Sequence, residues 1–121
     1  MAKLVLVVDD EVLIAELTGE VLADAGYRVL LAHDGREALE ILEREKPDAI
    51  ITDYMMPRLD GLGLALAVSA APQLRHLPVV LTSAVAGDVL ERYPGVFARF
   101  LQKPFDLTDI VATISGLLRE E

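Results

Sequence analysis

The stretch Ala49-Ile50-Ile51-Thr52-Asp53-Tyr54-Met55-Met56-Pro57-Arg58-Leu59-Asp60-Gly61 decides how this chain folds. Its apolar opening reads as a short buried strand, and one carboxylate, Asp53, stands where that strand must end. Turn chemistry follows, because Pro57 fixes φ and Gly61 permits a positive one. An acid at the carboxyl end of a strand in an α/β protein lies where such sheets bind ligands. Three other apolar runs also end in polar residues, so the question is whether those ends converge on Asp53.

Toward the N-terminus, Leu4-Val5-Leu6-Val7-Val8 is continuously apolar, as expected of a parallel strand covered on both faces, and Asp9-Asp10-Glu11 ends it. Helical spacing follows to Ala25, with Ile14, Leu17, Val21 and Leu22 as the expected buried stripe and Gly26 as the residue that closes it. Arg28 to Ala32 is a second strand. Asp34-Gly35 then caps a helix whose expected stripe is Ala38, Leu39, Ile41 and Leu42, ending before Lys46-Pro47.

Beyond Gly61, a helix to about Ala71 is expected to bury Leu62 and Leu66, with Ala65 or Ala70. Leu77 to Ser83 reads as a fourth strand ending in the hydroxyls of Thr82 and Ser83. From Ala84 to Val96 the pattern is weak: a helix can start at Gly87-Asp88, but Tyr93-Pro94-Gly95 must stop it early. Ala98 to Gln102 is a fifth strand ending in Lys103-Pro104-Phe105. The last helix places Leu107, Ile110, Val111, Ile114, Leu117 and Leu118 on one face, with Asp106 as its N-cap. Five β-α repeats with right-handed crossovers make a doubly wound parallel sheet with helices on both faces.

The 121 residues fit a single domain spanning 1–121, and 53% hydrophobic content is enough for a real core. A net charge of −9 disfavours direct nucleic-acid or anionic-membrane binding by the chain alone. Without cysteine there is no disulfide framework and no thiolate metal site. Met-Ala-Lys runs straight into a strand rather than a signal peptide, and no apolar run approaches the roughly 18 residues of a membrane span. The expectation is a cytoplasmic domain, monomeric or weakly dimeric.

The strand ends carry Asp9 and Asp10, then Asp53, then Thr82 and Ser83, then Lys103; the second strand ends without chemistry. Carboxylates a few Å apart raise one another's pKa unless a cation sits among them. Oxygen ligands without His or Cys favour Mg²⁺, which keeps several waters and shares the rest with a phosphate. Lys103 and Ser83 would then serve phosphoryl oxygens, leaving Asp53 as a nucleophile for a phosphoryl group.

Val7-Val8-Asp9-Asp10-Glu11, Asp53 to Gly61, Thr82-Ser83-Ala84 and Lys103-Pro104-Phe105 together resemble the response-regulator receiver domain of two-component signalling, over essentially the whole chain. The resemblance implies the flavodoxin-like strand order 2-1-3-4-5. It implies Asp53 as phosphoacceptor, taking its phosphoryl group from the phosphohistidine of a histidine kinase or histidine phosphotransferase and changing how a downstream protein binds. It implies Mg²⁺ ligation by Asp10, Asp53 and the Met55 carbonyl, with Asp9 acting mainly through water. Lys103 would bridge the phosphoryl group and an acidic partner, Ser83 (with Thr82 as rival) would be the switch hydroxyl, and Phe100 the switch aromatic. Pro104 matches a proline that often follows a cis bond. The domain would assist its own phosphorylation and dephosphorylation without being an enzyme on an external substrate.

Ser83 and Lys103 are 20 positions apart, shorter than the family's usual interval, and the usual Gly-Ala before the fifth strand is missing. The fourth helix should therefore be short or distorted. Val85, Val89, Val96 and Phe97 form either a contact patch or a cover folded under the loop, and the second reading is preferred. Met55 and Val85 are apolar where they flank the expected acyl phosphate, which predicts a long-lived phosphoryl state. His33 and His76 should be exposed and uninvolved. The competing readings are an unphosphorylated interaction domain of the same fold, an aspartate phosphohydrolase and a flavin-binding protein. Met55 stands where such a hydrolase needs an acid, and Asp9-Asp10-Glu11 would repel a flavin phosphate.

Overall fold

Continuous apolar runs suit parallel strands covered on both faces, and here they assemble into a sheet of five. The computed structural model describes residues 2–84 and 88–119. Along the chain come β1 (Leu4–Val8), α1 (Val12–Asp24), β2 (Arg28–Ala32), α2 (Gly35–Leu42), β3 (Ala49–Asp53), α3 (Gly61–Ala70), β4 (Val79–Ser83), α4 (Val89–Arg92), β5 (Arg99–Gln102) and α5 (Leu107–Leu118). The sheet order is β2-β1-β3-β4-β5, with every pairing parallel. β1, β3 and β4 are buried at every residue, whereas the edge strands β2 and β5 are partly exposed.

Strand alternation sorts the core into two layers. Val5, Val7, Ile51 and Val80 pack with Ala15 and Leu22 of α1 and with Ile110 and Ile114 of α5. Their neighbours Leu6, Val8, Ile50 and Val79 point the other way, onto Ala38, Ile41 and Leu42 of α2 and Leu64, Ala65 and Val68 of α3.

Two helices turn a different face inward from the one expected. In α1 the buried residues are Ala15, Thr18, Gly19 and Leu22, while Leu17 stays 39% exposed. Small residues go inside because α1 lies close on β2: a Cβ at Gly19 would meet the Leu31 side chain at 3.2 Å. In α3 the buried residues are Gly61, Leu64, Ala65 and Val68, and Leu66 is exposed. Apolar residues occur all round that helix, so its sequence does not specify which side faces the core.

Most of the punctuation behaves as its chemistry requires, but in the turn after β3 the positive φ falls on Arg58 (φ +69°) and not on Gly61, which opens α3. Gly26 takes φ +102° just beyond α1. Asp34 Oδ1 accepts the Glu37 N–H at 2.8 Å to cap α2, and Asp60 Oδ1 accepts the Gly63 N–H at 2.7 Å to cap α3. Asp109 Oδ2 accepts the Asp106 N–H at 3.1 Å at the start of α5. The fourth helix is indeed short, four residues, and Gly95 at φ +84° follows its end. Val89 is buried, and Val96 and Phe97 pack partly buried against the α2 and α3 layer, so they fold under rather than form a patch. Val85 lies outside the described residues. Among the described residues, no helix is long and apolar enough to cross a membrane.

Candidate functional site

A parallel sheet delivers all its carboxyl ends to one edge, and register brings them level. Val8 pairs with Thr52, Asp53 with Thr82, and Ser83 with Gln102. The residues that follow β1 and β5 therefore meet the last residues of β3 and β4. Lys103 Nζ lies 3.4 Å from Asp53 Oδ1 and 3.7 Å from Asp9 Oδ2. Asp9, Asp10 and Asp53 each offer a carboxylate oxygen, all within 4.8 Å of one another, the geometry of a group that could hold a metal ion. Asp9 is 5% and Asp53 9% exposed, while Asp10 faces solvent.

The electrostatics are short of positive charge. Burial pushes the Asp9 carboxyl above its ordinary value, against the Glu11 N–H and the Lys103 ammonium, and the charge of Asp53 adds to the rise. Burial likewise raises Asp53, opposed by Lys103 and the Tyr54 N–H and reinforced by Asp10. Three carboxylates face one ammonium. A hard divalent cation fits that deficit and that all-oxygen donor set.

Local structure explains why these carboxylates are free for such a role. Neither Asp9 nor Asp10 caps α1; Glu11 occupies the cap position and makes no side-chain cap bond. Asp9 instead takes the Glu11 N–H on Oδ1 at 2.9 Å, leaving Oδ2 toward Lys103. The Asp53 carbonyl accepts the Thr52 hydroxyl at 2.9 Å, and the Thr52 carbonyl accepts that of Thr82 at 3.4 Å. The Lys103 N–H donates to the Ser83 carbonyl at 2.8 Å, which fixes where the lysine leaves the sheet. The Lys103–Pro104 bond is cis.

Other expected residues sit around the cluster rather than in it. Ser83 is buried at the end of β4. The Met55 side chain is 71% exposed. Phe100 is half-buried on β5, paired with Leu81, and takes no part in the ion pairs. His76 is exposed, but His33 is only half-exposed: its N–H donates to Glu37 Oε1 at 2.8 Å.

Two contributions go beyond the sequence reading. Gly61 reads as turn chemistry, yet a Cβ there would sit 2.4 Å from the Asp53 carbonyl oxygen; α3 begins against the backbone of Asp53 itself. The end of the second strand is also not blank. Arg58 donates to Asp34 Oδ2 from Nε at 2.9 Å and from Nη2 at 2.7 Å, linking residues 24 positions apart. The Asp60-Gly61 pair was a signal for the first; nothing local announces the second.

The sequence profile of the response regulator receiver domain matches residues 5–115. Response regulator MprA of Mycobacterium ulcerans is 40% identical over 122 residues, covering 98% of this chain and 51% of that protein. MprA of Mycobacterium tuberculosis is 39% identical, covering 98% and 52%. The chain thus spans about half the length of the curated relatives it matches. Among solved structures, the signal receiver domain of a signal transduction histidine kinase from Syntrophus aciditrophicus superposes with a TM-score of 0.90 at 31% identity, covering 99% of this chain and 96% of that one. Chemotaxis response regulator CheY4 of Vibrio cholerae gives 0.89 at 31%, covering 98% and 100%. The receiver domain of sensor histidine kinase PA1611 from Pseudomonas aeruginosa gives 0.87 at 26%, covering 99% and 100%; its structure has a magnesium ion coordinated in the active site cleft.

Proposed function

The chain belongs to the response regulator receiver domain family of two-component signalling, and from that premise we propose that Asp53 is its phosphoacceptor. The observation that carries the assignment is the meeting of Asp53 with Lys103 at 3.4 Å, beside Asp9 and Asp10, at the carboxyl edge of the sheet. An Asp53 carboxylate oxygen attacks the phosphorus of a phosphohistidine on a histidine kinase or histidine phosphotransferase. The O–P bond forms as the P–N bond breaks, and the imidazole leaves with the electron pair. Asp9, Asp10 and Asp53, with the Met55 carbonyl, would hold Mg²⁺, which when bound offsets the charge of carboxylate and phosphoryl group. Lys103 carries the ammonium that pairs with a phosphoryl oxygen, Ser83 is the hydroxyl that follows it, and Phe100 responds to Ser83. The domain spans residues 1–121, acts in the cytoplasm and passes its state to a downstream protein, catalysing nothing on an external substrate. Apolar Met55 and Val85 lengthen the life of the acyl phosphate; rapid dephosphorylation unchanged by Met55→Asn would remove that part.

Thermal unfolding tests the assignment, with and without Mg²⁺ and then with beryllofluoride, in wild type and Asp53→Asn. A ligand bound only to the folded state adds about 2.7 kcal/mol at a hundredfold excess over Kd. The expected result is a Mg²⁺-dependent rise that beryllofluoride increases only when Asp53 is present. No rise with either ligand would leave an interaction domain that takes no phosphoryl group.

A further inference from the structure

The β3–α3 loop, residues 54–60, leaves directly from Asp53 and contains Met55. Arg58 within it adopts φ +69°, a left-handed conformation that a residue with a Cβ takes at a cost of about 1 kcal/mol or more. The surroundings hold it there. Its guanidinium donates twice to Asp34 Oδ2, at 2.9 and 2.7 Å. The other Asp34 oxygen is taken by the Glu37 N–H at 2.8 Å, so the carboxylate is already immobilised as the cap of α2. An exposed ion pair usually contributes little because two side chains must be ordered; here one is ordered beforehand.

The residues beside the pair continue the clamp. The Gly35 N–H donates to the Leu59 carbonyl at 3.1 Å, and a Cβ at Gly35 would approach that oxygen to 2.5 Å. The Leu59 side chain also fills the space a Cβ at Gly63 would need, 2.5 Å from its Cδ1. At the far end the Gly61 N–H donates to the Tyr54 carbonyl at 2.8 Å, closing the loop one residue after Asp53. Met55 therefore lies in a span fixed at both ends; the Gly35–Leu59 backbone bond and the Arg58–Asp34 ion pair both reach outside it to the β2–α2 turn, and Arg58–Asp34 is the one made by side chains.

We propose that the Arg58–Asp34 ion pair is a positioning device that holds the β3–α3 loop in the shape the acidic cluster needs to bind a divalent cation. Arg58 and Asp34 touch neither the cation nor the phosphoryl group; they act through the loop. The Glu37 N–H and the Arg58 guanidinium outweigh the burial of Asp34 and hold its carboxyl below its ordinary value. The inference rests on Asp9, Asp10 and Asp53 being a Mg²⁺ site.

The test is a double-mutant cycle of Arg58→Gln and Asp34→Asn in the full chain, with Mg²⁺ titrated against amide NMR shifts and Tm recorded alongside. Asn keeps an acceptor for the cap while removing the charge. Each single variant should raise the Mg²⁺ Kd about tenfold, the low end for groups that orient metal ligands, and the double should be no worse than either. Arg58→Gly, which relieves the backbone and loses the tie, should weaken binding like Gln, and Arg58→Lys should recover part of it. Single variants with wild-type Kd, whatever their Tm, or effects that simply add, would overturn the proposal. Wild type failing to bind Mg²⁺ would instead overturn the reading of the site on which it rests.

Discussion

The corner after β3 and the corner after β4 begin alike and end differently. Both strands run five residues, buried throughout, and both end in a polar side chain at the same edge. Past Asp53 the chain is tied by the Gly61–Tyr54 bond, by Gly35 to Leu59 and by Arg58 to Asp34, and it runs into a ten-residue helix. Past Ser83 it reaches a helix of four residues with one buried side chain, Val89. That corner is held from β5 instead, by the Lys103 N–H on Ser83 and by Gln102 Nε2 on the Ala84 carbonyl at 3.2 Å. Under the function proposed above, a phosphoacceptor would need a geometry that does not drift and a switch a segment whose alternatives lie close in energy, and the two adjacent strand ends would serve those two requirements separately.

Glycine substitutions break this comparison most sharply. Gly61→Ala must push α3 off the Asp53 carbonyl, and the expected loss is about 3 kcal/mol in urea denaturation. Gly95→Ala in the other corner meets no atom within 4 Å and carries only the strain of φ +84°, about 1 kcal/mol. Equal losses would mean that the β3 corner relaxes as readily as its neighbour. Lys103→Met, which removes the ammonium from Asp53 and Asp9 but keeps the backbone bond to Ser83, should cost about 2 kcal/mol at pH 7 by leaving two buried carboxylates without their cation. The same denaturation repeated at lower pH should show that loss shrinking as the carboxylates take up protons; a loss independent of pH would assign it to packing. Val89→Ala should cost about 1–2 kcal/mol, with amide exchange rising first across residues 88–97.

What the sequence made legible follows from range. Buried parallel strands are continuous apolar runs with abrupt ends, so β1 and β3, and with them Asp9, Asp10 and Asp53, stand out locally, while Lys103 is marked by the Pro104-Phe105 that follows it after β5. The strand order came from family resemblance, because periodicity says nothing about which strands are neighbours. The inward face of α3 was hidden because Gly61 to Ala70 is apolar on every side, and that of α1 because close approach to β2 selects Ala15 and Gly19 over Leu17. Arg58–Asp34 was invisible for a third reason: an ion pair spanning 24 positions exists only once the β2–α2 turn and the β3–α3 loop have been brought together.

The smallest expected effect concerns a tension inside the rigid corner: its packing is tight while its charge is unfavourable. Burial raises the Asp53 carboxyl above 3.8, so the folded protein binds that proton more tightly than the unfolded chain does. Stability contributed by the protonated form is therefore present at low pH and lost as pH rises from about 4 through the raised value. Asp53→Asn abolishes the penalty, and without divalent cations it should be more stable than wild type at pH 7, by about 0.5–2 kcal/mol, with the gain vanishing near pH 3. Saturating Mg²⁺ should reverse the ranking, because the cation compensates a charge that only wild type carries. Should the Asn variant be less stable at pH 7 in chelator, the Lys103 pairing outweighs burial and the empty carboxylate already stabilises the fold. If instead it gains stability but Mg²⁺ leaves the order unchanged, the penalty is real and Asp53 is not a metal ligand.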